Sequence, residues 1–88
     1  MRKPDMLRRV QFAVLLQFAE HGKADLATTA AVVPGSGGRD FRLALENLVD
    51  EESLEGPPGH LESLVELAGG GRLRLTDRGR RRVLEDDV

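Results

Sequence analysis

The sequence predicts an α+β fold of three helices, a two-stranded β-hairpin and a last helix. In the first part of the 88-residue chain, apolar residues recur at spacings of three and four, which is the period of an amphipathic helix. The period then changes, because RLRLT at residues 72–76 alternates apolar and polar residues as a strand does. Residues 77–86 follow as a second helical region.

The first helix is predicted over residues 5–21, which contain no Gly or Pro. Its main apolar stripe consists of Leu7, Val10, Val14 and Phe18. A second apolar set repeats the same spacing around the helix, namely Phe12, Leu15, Leu16 and Ala19. Two arrangements cover such a wide apolar surface: packing by the same chain from two sides, or a homodimer in which the second set forms the interface.

Two further helices are predicted before the chain changes period. Asp25 is placed to cap a short helix over residues 25–32, which Pro34 and Gly35 end. PGSGG is a turn by composition, and Ser36 or the glycines after it can open a third helix over residues 39–54. The core face of this third helix consists of Phe41, Ala44, Leu45, Leu48 and Val49.

A β-hairpin is predicted over residues 62–76, with the three glycines of residues 69–71 as its turn. The alternative for residues 60–68 is a short helix, which the spacing of their apolar residues also permits. We favour the strand because the alternation in RLRLT requires a partner strand. Thr76 is then placed to cap the last helix, over residues 77–86.

Two segments resemble parts of a known family. LRLTDRGRRRVLE resembles the end of many winged helix-turn-helix transcriptional regulators, in which a Leu-x-Leu-Thr strand passes through Thr-x-x-Gly-Arg into a helix. DFRLALENLVDEESLEG resembles their recognition helix. The resemblance implies a single winged-helix domain over residues 1–88, with a three-helix core, a two-stranded wing and a C-terminal helix. Two features depart from the pattern: Gly-Pro-Pro-Gly follows the recognition helix, and that helix is unusually acidic.

The net charge of −2 conceals an uneven distribution along the chain. Residues 40–66 carry a net charge of −7, whereas residues 72–82 carry +5. Charges act locally, within about 10 Å at moderate salt, so the basic segment can contact phosphate while the acidic segment faces away. We therefore predict a transcriptional regulator that binds double-stranded DNA.

The predicted DNA contacts are five arginines. Arg39 and Arg42, at the start of the third helix, are suited to read guanine in the major groove. The resemblance implies that Arg72 and Arg74 contact DNA from the wing. Arg78 belongs to the same basic segment.

A winged-helix protein-interaction module that binds no DNA is the alternative, in which the apolar first helix and the acidic residues 46–55 bind a protein partner. In that case the arginines solubilise the surface or pair with neighbouring carboxylates, in bridges worth at most about 1 kcal/mol.

The composition argues against several other classes. Without Cys there is no disulfide or thiolate site, and His21 and His60 lack the spacing of metal ligands. No nucleophile or phosphate-loop motif is present, so we expect no enzyme activity, no cofactor and no metal. No apolar run approaches the roughly 18 residues of a membrane span. We therefore expect no membrane partner and a cytoplasmic location.

Overall fold

The computed structural model describes residues 3–59 and 61–86, and it confirms an α+β fold. These residues form five α-helices and one two-stranded antiparallel sheet. The elements are α1 (Lys3–His21), α2 (Leu26–Val32), α3 (Gly38–Asp50), β1 (Leu54–Glu55), α4 (Leu64–Gly69, preceded by a 3₁₀ turn at Leu61–Ser63), β2 (Arg74–Leu75) and α5 (Asp77–Asp86). Residues 1, 2, 60, 87 and 88 of the predicted 1–88 domain lie outside the described residues.

Helix α1 is the centre of the fold, because it packs against α2, α3, α5 and β2. Its fully buried side chains, Val10, Val14 and Leu15, belong to one apolar cluster with residues of α3 and α4 and with Val33, which follows α2. Val83 of α5 packs against the edge of that cluster. The wide apolar surface of α1 is thus covered largely by its own chain.

Of the predicted dimer residues, Leu15 is 0% exposed in the core of the single chain. A fully enclosed side chain is not available for contact with a second copy of the same fold. Phe12 and Leu16 are only partly buried, and Ala19 is exposed.

Helices α2 and α3 begin with the predicted type of signal. The Asp25 side chain accepts a hydrogen bond of 2.7 Å from the Thr28 backbone N–H, which caps α2. At the start of α3, the Gly37 backbone N–H donates to the Asp40 carboxylate at 3.1 Å. Both helices consequently start within one residue of the predicted position.

The end of α3 differs from the prediction, because the helix stops at Asp50 instead of continuing to residue 54. Glu52 adopts a left-handed conformation with φ of 63°. The Ser53 N–H then donates back to the Leu48 carbonyl, and the Glu52 N–H to the Val49 carbonyl, as in a left-handed helix cap. Glycine usually occupies this position, so a glutamate there gave no stop signal in the sequence.

The predicted hairpin over residues 62–76 is wrong, and the alternative helix is present at residues 61–69. The partner of β2 is β1, with Leu54 opposite Leu75 and Glu55 opposite Arg74. The three glycines end α4: Gly71 has φ of 71°, and the Arg72 N–H donates to the Leu67 carbonyl at 2.9 Å. Helix α4 buries Leu64, Leu67 and Ala68. The partner strand that RLRLT requires is therefore formed by Leu54 and Glu55, at the predicted end of the third helix and just after it.

Helix α5 covers the predicted residues 77–86. Thr76 caps it, since its Oγ1 accepts a hydrogen bond of 3.0 Å from the Gly79 N–H. The same hydroxyl donates to the Glu52 carbonyl at 2.5 Å, and the Thr76 N–H donates to the Ser53 carbonyl at 3.1 Å. The start of α5 is thereby attached to the segment that follows α3.

Candidate nucleic-acid interface

The first turns of α3 expose two of the predicted DNA-contacting residues, Arg39 and Arg42. The opposite face of the helix, with Phe41, Ala44 and Leu45, is buried in the core. Arg39 and Arg42 are three residues apart and therefore lie on the same side of the helix. Packing of the apolar face thus fixes which side of α3 carries the two guanidinium groups.

Each of these arginines has an acidic neighbour in the sequence, but the two carboxylates are oriented differently. Asp40 accepts the hydrogen bond from the Gly37 N–H, so its charge lies at the positive end of the helix dipole. Glu46 forms an exposed ion pair with Arg42, with 3.2 Å between Oε1 and Nε. Because both side chains are exposed, this ion pair contributes at most about 1 kcal/mol to stability. Arg42 can therefore exchange Glu46 for another partner at little cost.

On the sheet, Arg72 and Arg74 are exposed, whereas Leu73 between them is buried. This alternation places both arginines on the outer side of the β2 segment. They line a shallow cavity of about 290 Å³ together with Glu55, the residue opposite Arg74 in β1. The cavity contains neither Arg39 nor Arg42, so the structure brings the arginines together in two separate pairs.

Arg78 lies in a different setting from the other four predicted contacts. It is exposed and lines a cavity of about 760 Å³ with three carboxylate residues, Glu52, Glu55 and Asp77. These acidic neighbours oppose the approach of a phosphate to Arg78.

Sequence reasoning missed Arg80 as a neighbour of Arg74. The two line a cavity of about 550 Å³ that also contains Phe18 and Ala19 near the end of α1. The hairpin interpretation could not show this proximity, because it depends on how α5 packs beside β2 against α1. Ala19, a predicted dimer residue, thus lines a cavity with residues of β2 and α5.

Phe12 and Leu16 line another groove, of about 530 Å³, between α1 and the end of α2. Arg8, Arg9 and Arg82 also line it. No role was predicted for Arg8 and Arg9 from the sequence, because the first helix was considered only for its apolar residues.

The acidic residues 46–55 make several of their contacts within the chain. Glu46 pairs with Arg42, and Glu51 accepts hydrogen bonds from Ser53 and from Arg82. The Arg82 and Glu51 side chains are both mostly shielded from solvent, and their contact links α5 to the end of α3. Part of the predicted protein-binding surface is therefore used to hold the fold together.

Two findings concern the whole described part of the chain. Within residues 3–59 and 61–86, no helix has the length and apolar character needed to cross a bilayer. The same residues contain no cluster of three or more His, Asp or Glu side chains that could hold a metal ion. No protein-family model, curated protein or solved structure matches the chain.

Proposed function

We propose that the chain is a winged helix-turn-helix domain that binds duplex DNA through the start of α3 and the outer side of β2, and so acts as a transcriptional regulator. The observation that supports this most directly is the way α3 is held. Its apolar face packs on α1, a short turn connects it to α2, and Arg39 and Arg42 remain exposed at its N-terminal end. Recognition helices contact base edges with their N-terminal residues in this orientation.

The hydrogen bonds around α3 remove one electrostatic objection to this proposal. Asp40 lies next to Arg39, but its carboxylate is engaged by the Gly37 N–H at the helix start. Arg42 exchanges its exposed contact with Glu46 for a guanine edge or a phosphate at a cost of at most about 1 kcal/mol. A bidentate guanine contact is worth about 1–3 kcal/mol, which exceeds that cost.

Strands β1 and β2 take the role of the wing, with α4 in place of the usual tip. Arg72 and Arg74 are exposed side by side, and guanidinium groups pair well with phosphate oxygens. The exposed carboxylates of Glu62, in the turn before α4, and of Glu66 in α4 must face away from the duplex in this mode. Arg78 is left out of the proposed surface, because Glu52, Glu55 and Asp77 surround it.

Fluorescence anisotropy with a labelled duplex, measured across a salt series, tests the proposal. We expect affinity to fall steeply as salt rises, because each phosphate contact releases condensed counterions. The double variants Arg39→Ala/Arg42→Ala and Arg72→Ala/Arg74→Ala should each weaken binding by at least about tenfold. The wing variant should also reduce the slope of log K against log salt by about 1 for each phosphate contact removed.

Arg81→Ala is the matched control, since Arg81 is an exposed arginine of α5 that lines none of the cavities described above. Its affinity should stay within about twofold of the parent chain. Glu55→Gln removes a carboxylate beside Arg72 and Arg74, so it should tighten binding at low salt. Absence of duplex binding at low salt, or equal losses in the double variants and in Arg81→Ala, contradicts the proposal.

A further inference from the structure

The groove between α1 and the end of α2 combines apolar and basic side chains that the proposed DNA surface does not use. Phe12 and Leu16 are partly buried at its floor, and Val32 is 61% exposed beside them. Arg8, Arg9 and Arg82 line it as well. An exposed valine next to a half-covered phenylalanine is an apolar surface that water contacts unfavourably.

The charge of this groove is positive and largely unneutralised. Its lining residues, all in the described part of the chain, include three arginines and no carboxylate. Arg82 donates to Glu51 and is therefore engaged. Arg8 and Arg9 are exposed and form no ion pair with the described side chains.

A second copy docked through its own groove is a poor occupant on electrostatic grounds. A two-fold contact of that kind places Arg8 and Arg9 of both copies in one interface, and the residues lining the groove include no carboxylate. The most exposed large apolar residue, Leu84 at 70%, follows Arg80 and Arg81 by one helical turn, so its face of α5 is also basic. Docking that face into the groove again opposes like charges.

The shape of the groove favours a helix over a small molecule. Small ligands are typically enclosed over 70–90% of their surface. Here Arg8, Arg9 and Val32 are all exposed, so the site is an open trough. From Arg8 to Leu16 it follows α1 for about 12 Å, or roughly two helical turns. An amphipathic helix needs only one face covered, over about this length.

We infer that this groove binds an acidic amphipathic helix of a partner protein. Apolar side chains at spacings of three and four contact Phe12, Leu16 and Val32, and carboxylates beside them pair with Arg8 and Arg9. This inference does not depend on DNA binding, since none of the proposed DNA contacts lines the groove. The two proposed surfaces share no residue and can be tested independently.

Binding of labelled synthetic peptides to the full chain tests the inference. The probe is a helical peptide of about 14 residues, with leucines at helical spacing on one face and glutamates on the other. One control peptide carries lysine in place of every glutamate, and a second carries serine in place of every leucine. We expect saturable binding of the acidic probe only, weakening as salt rises.

Two groups of variants locate the binding site. Arg8→Glu/Arg9→Glu should weaken probe binding at least about tenfold, and Val32→Ser by about threefold to tenfold. Arg81→Glu, an equally exposed charge reversal outside the groove, should leave binding within about twofold. All these positions are exposed, and melting temperatures measured by circular dichroism check that each variant is folded.

Four outcomes overturn the inference. The first is that the lysine peptide binds as tightly as the acidic probe, and the second is that Arg8→Glu/Arg9→Glu leaves probe binding unchanged. The third is that the parent chain binds no probe and Arg8→Glu/Arg9→Glu loses duplex binding. The fourth is that sedimentation shows a dimer for the parent chain and a monomer for Arg8→Glu/Arg9→Glu. The last two assign the groove to nucleic acid and to a second copy. Because the duplex and the peptide are measured separately, failure of the DNA proposal is distinguishable from failure of this one.

Discussion

Gln17 of α1 donates a hydrogen bond of 2.7 Å from Nε2 to Oγ1 of Thr29 in α2, and both side chains are buried. The Gln17 Oε1 accepts from the Asp25 N–H at 3.2 Å, and the Thr29 hydroxyl donates to the Asp25 carbonyl at 2.9 Å. These bonds fix the start of α2 against α1.

Thr29→Val should therefore destabilise the protein by about 1–3 kcal/mol, because the buried Gln17 amide loses its shorter hydrogen bond and the Asp25 carbonyl loses one of the two it accepts from Thr29. Urea unfolding followed by circular dichroism measures the loss. Thr28→Val is the matched control, since Thr28 is exposed and water can replace its hydroxyl contact. Equal losses for the two variants would show that the buried network does not stabilise the fold.

Asp25 should make the stability depend on pH in acid. The hydrogen bond from the Thr28 backbone N–H, with that from the Thr28 hydroxyl, lowers the pKa of Asp25 below its ordinary value. Because its folded-state pKa is lowered, the Asp25 carboxylate contributes stability that is fully present above the unfolded-state pKa of about 3.9. This stability is lost as pH falls through the folded-state pKa.

Asn also caps helices well, so Asp25→Asn should keep most of the stability at neutral pH and lose this part of the acid dependence. The measurement is the unfolding free energy of both proteins from neutral pH to about pH 2. The difference in unfolding free energy between the parent chain and Asp25→Asn should shrink as pH falls below about 4. A constant difference over the whole range contradicts this account.

Gly79→Ala should be strongly destabilising, although alanine is the better helix former. A Cβ at Gly79 overlaps the Ser53 carbonyl oxygen and lies 2.7 Å from Leu75 Cδ1. We expect a loss of about 1–3 kcal/mol, from strain that exceeds the helix-propensity gain of about 1 kcal/mol. Gly38→Ala is the control, because a Cβ at Gly38 lies 3.6 Å from Leu26 Cδ2, which is an ordinary contact distance. Thermal unfolding should show opposite shifts for the two variants.

Leu15 and Leu16 should respond differently to truncation. Leu15 is fully buried, so Leu15→Ala should cost about 2–5 kcal/mol of folding free energy. Leu16 is partly buried at the groove, and Leu16→Ala should cost about 1 kcal/mol or less. Comparable losses in denaturant unfolding would contradict the placement of Leu15 in the core and Leu16 at its surface.

Local signals predicted most of the helices correctly. The Asp25 cap, the glycines before α3 and the Thr76 cap each act within a few residues, so the sequence shows where those helices start. The errors arose where a decision depends on the rest of the fold. Residues 61–69 fit both the strand period and the helix period. Their packing against α3 and the hydrogen bond from the Ala24 N–H to the Ala68 carbonyl favour the helix.

The candidate site was predictable in composition but not in arrangement. Exposure of Arg39, Arg42, Arg72 and Arg74 follows from periodicity, since each alternates with buried apolar residues. The acidic surroundings of Arg78, and the groove with Arg8 and Arg9, depend on how α5 and α2 pack beside other elements. Only the tertiary structure contains that information.

The strand pair also constrains the order in which the protein folds. Each strand has two residues, and the chain between them spans residues 56–73 with α4 inside it. So short a ladder cannot offset the entropy lost on closing that loop, and the burial of Leu54, Leu73 and α4 must supply the difference. We therefore expect the helices to assemble first and the sheet to form last. Hydrogen exchange at the strand amides should then report local opening of the strand pair under conditions in which the rest of the protein stays folded.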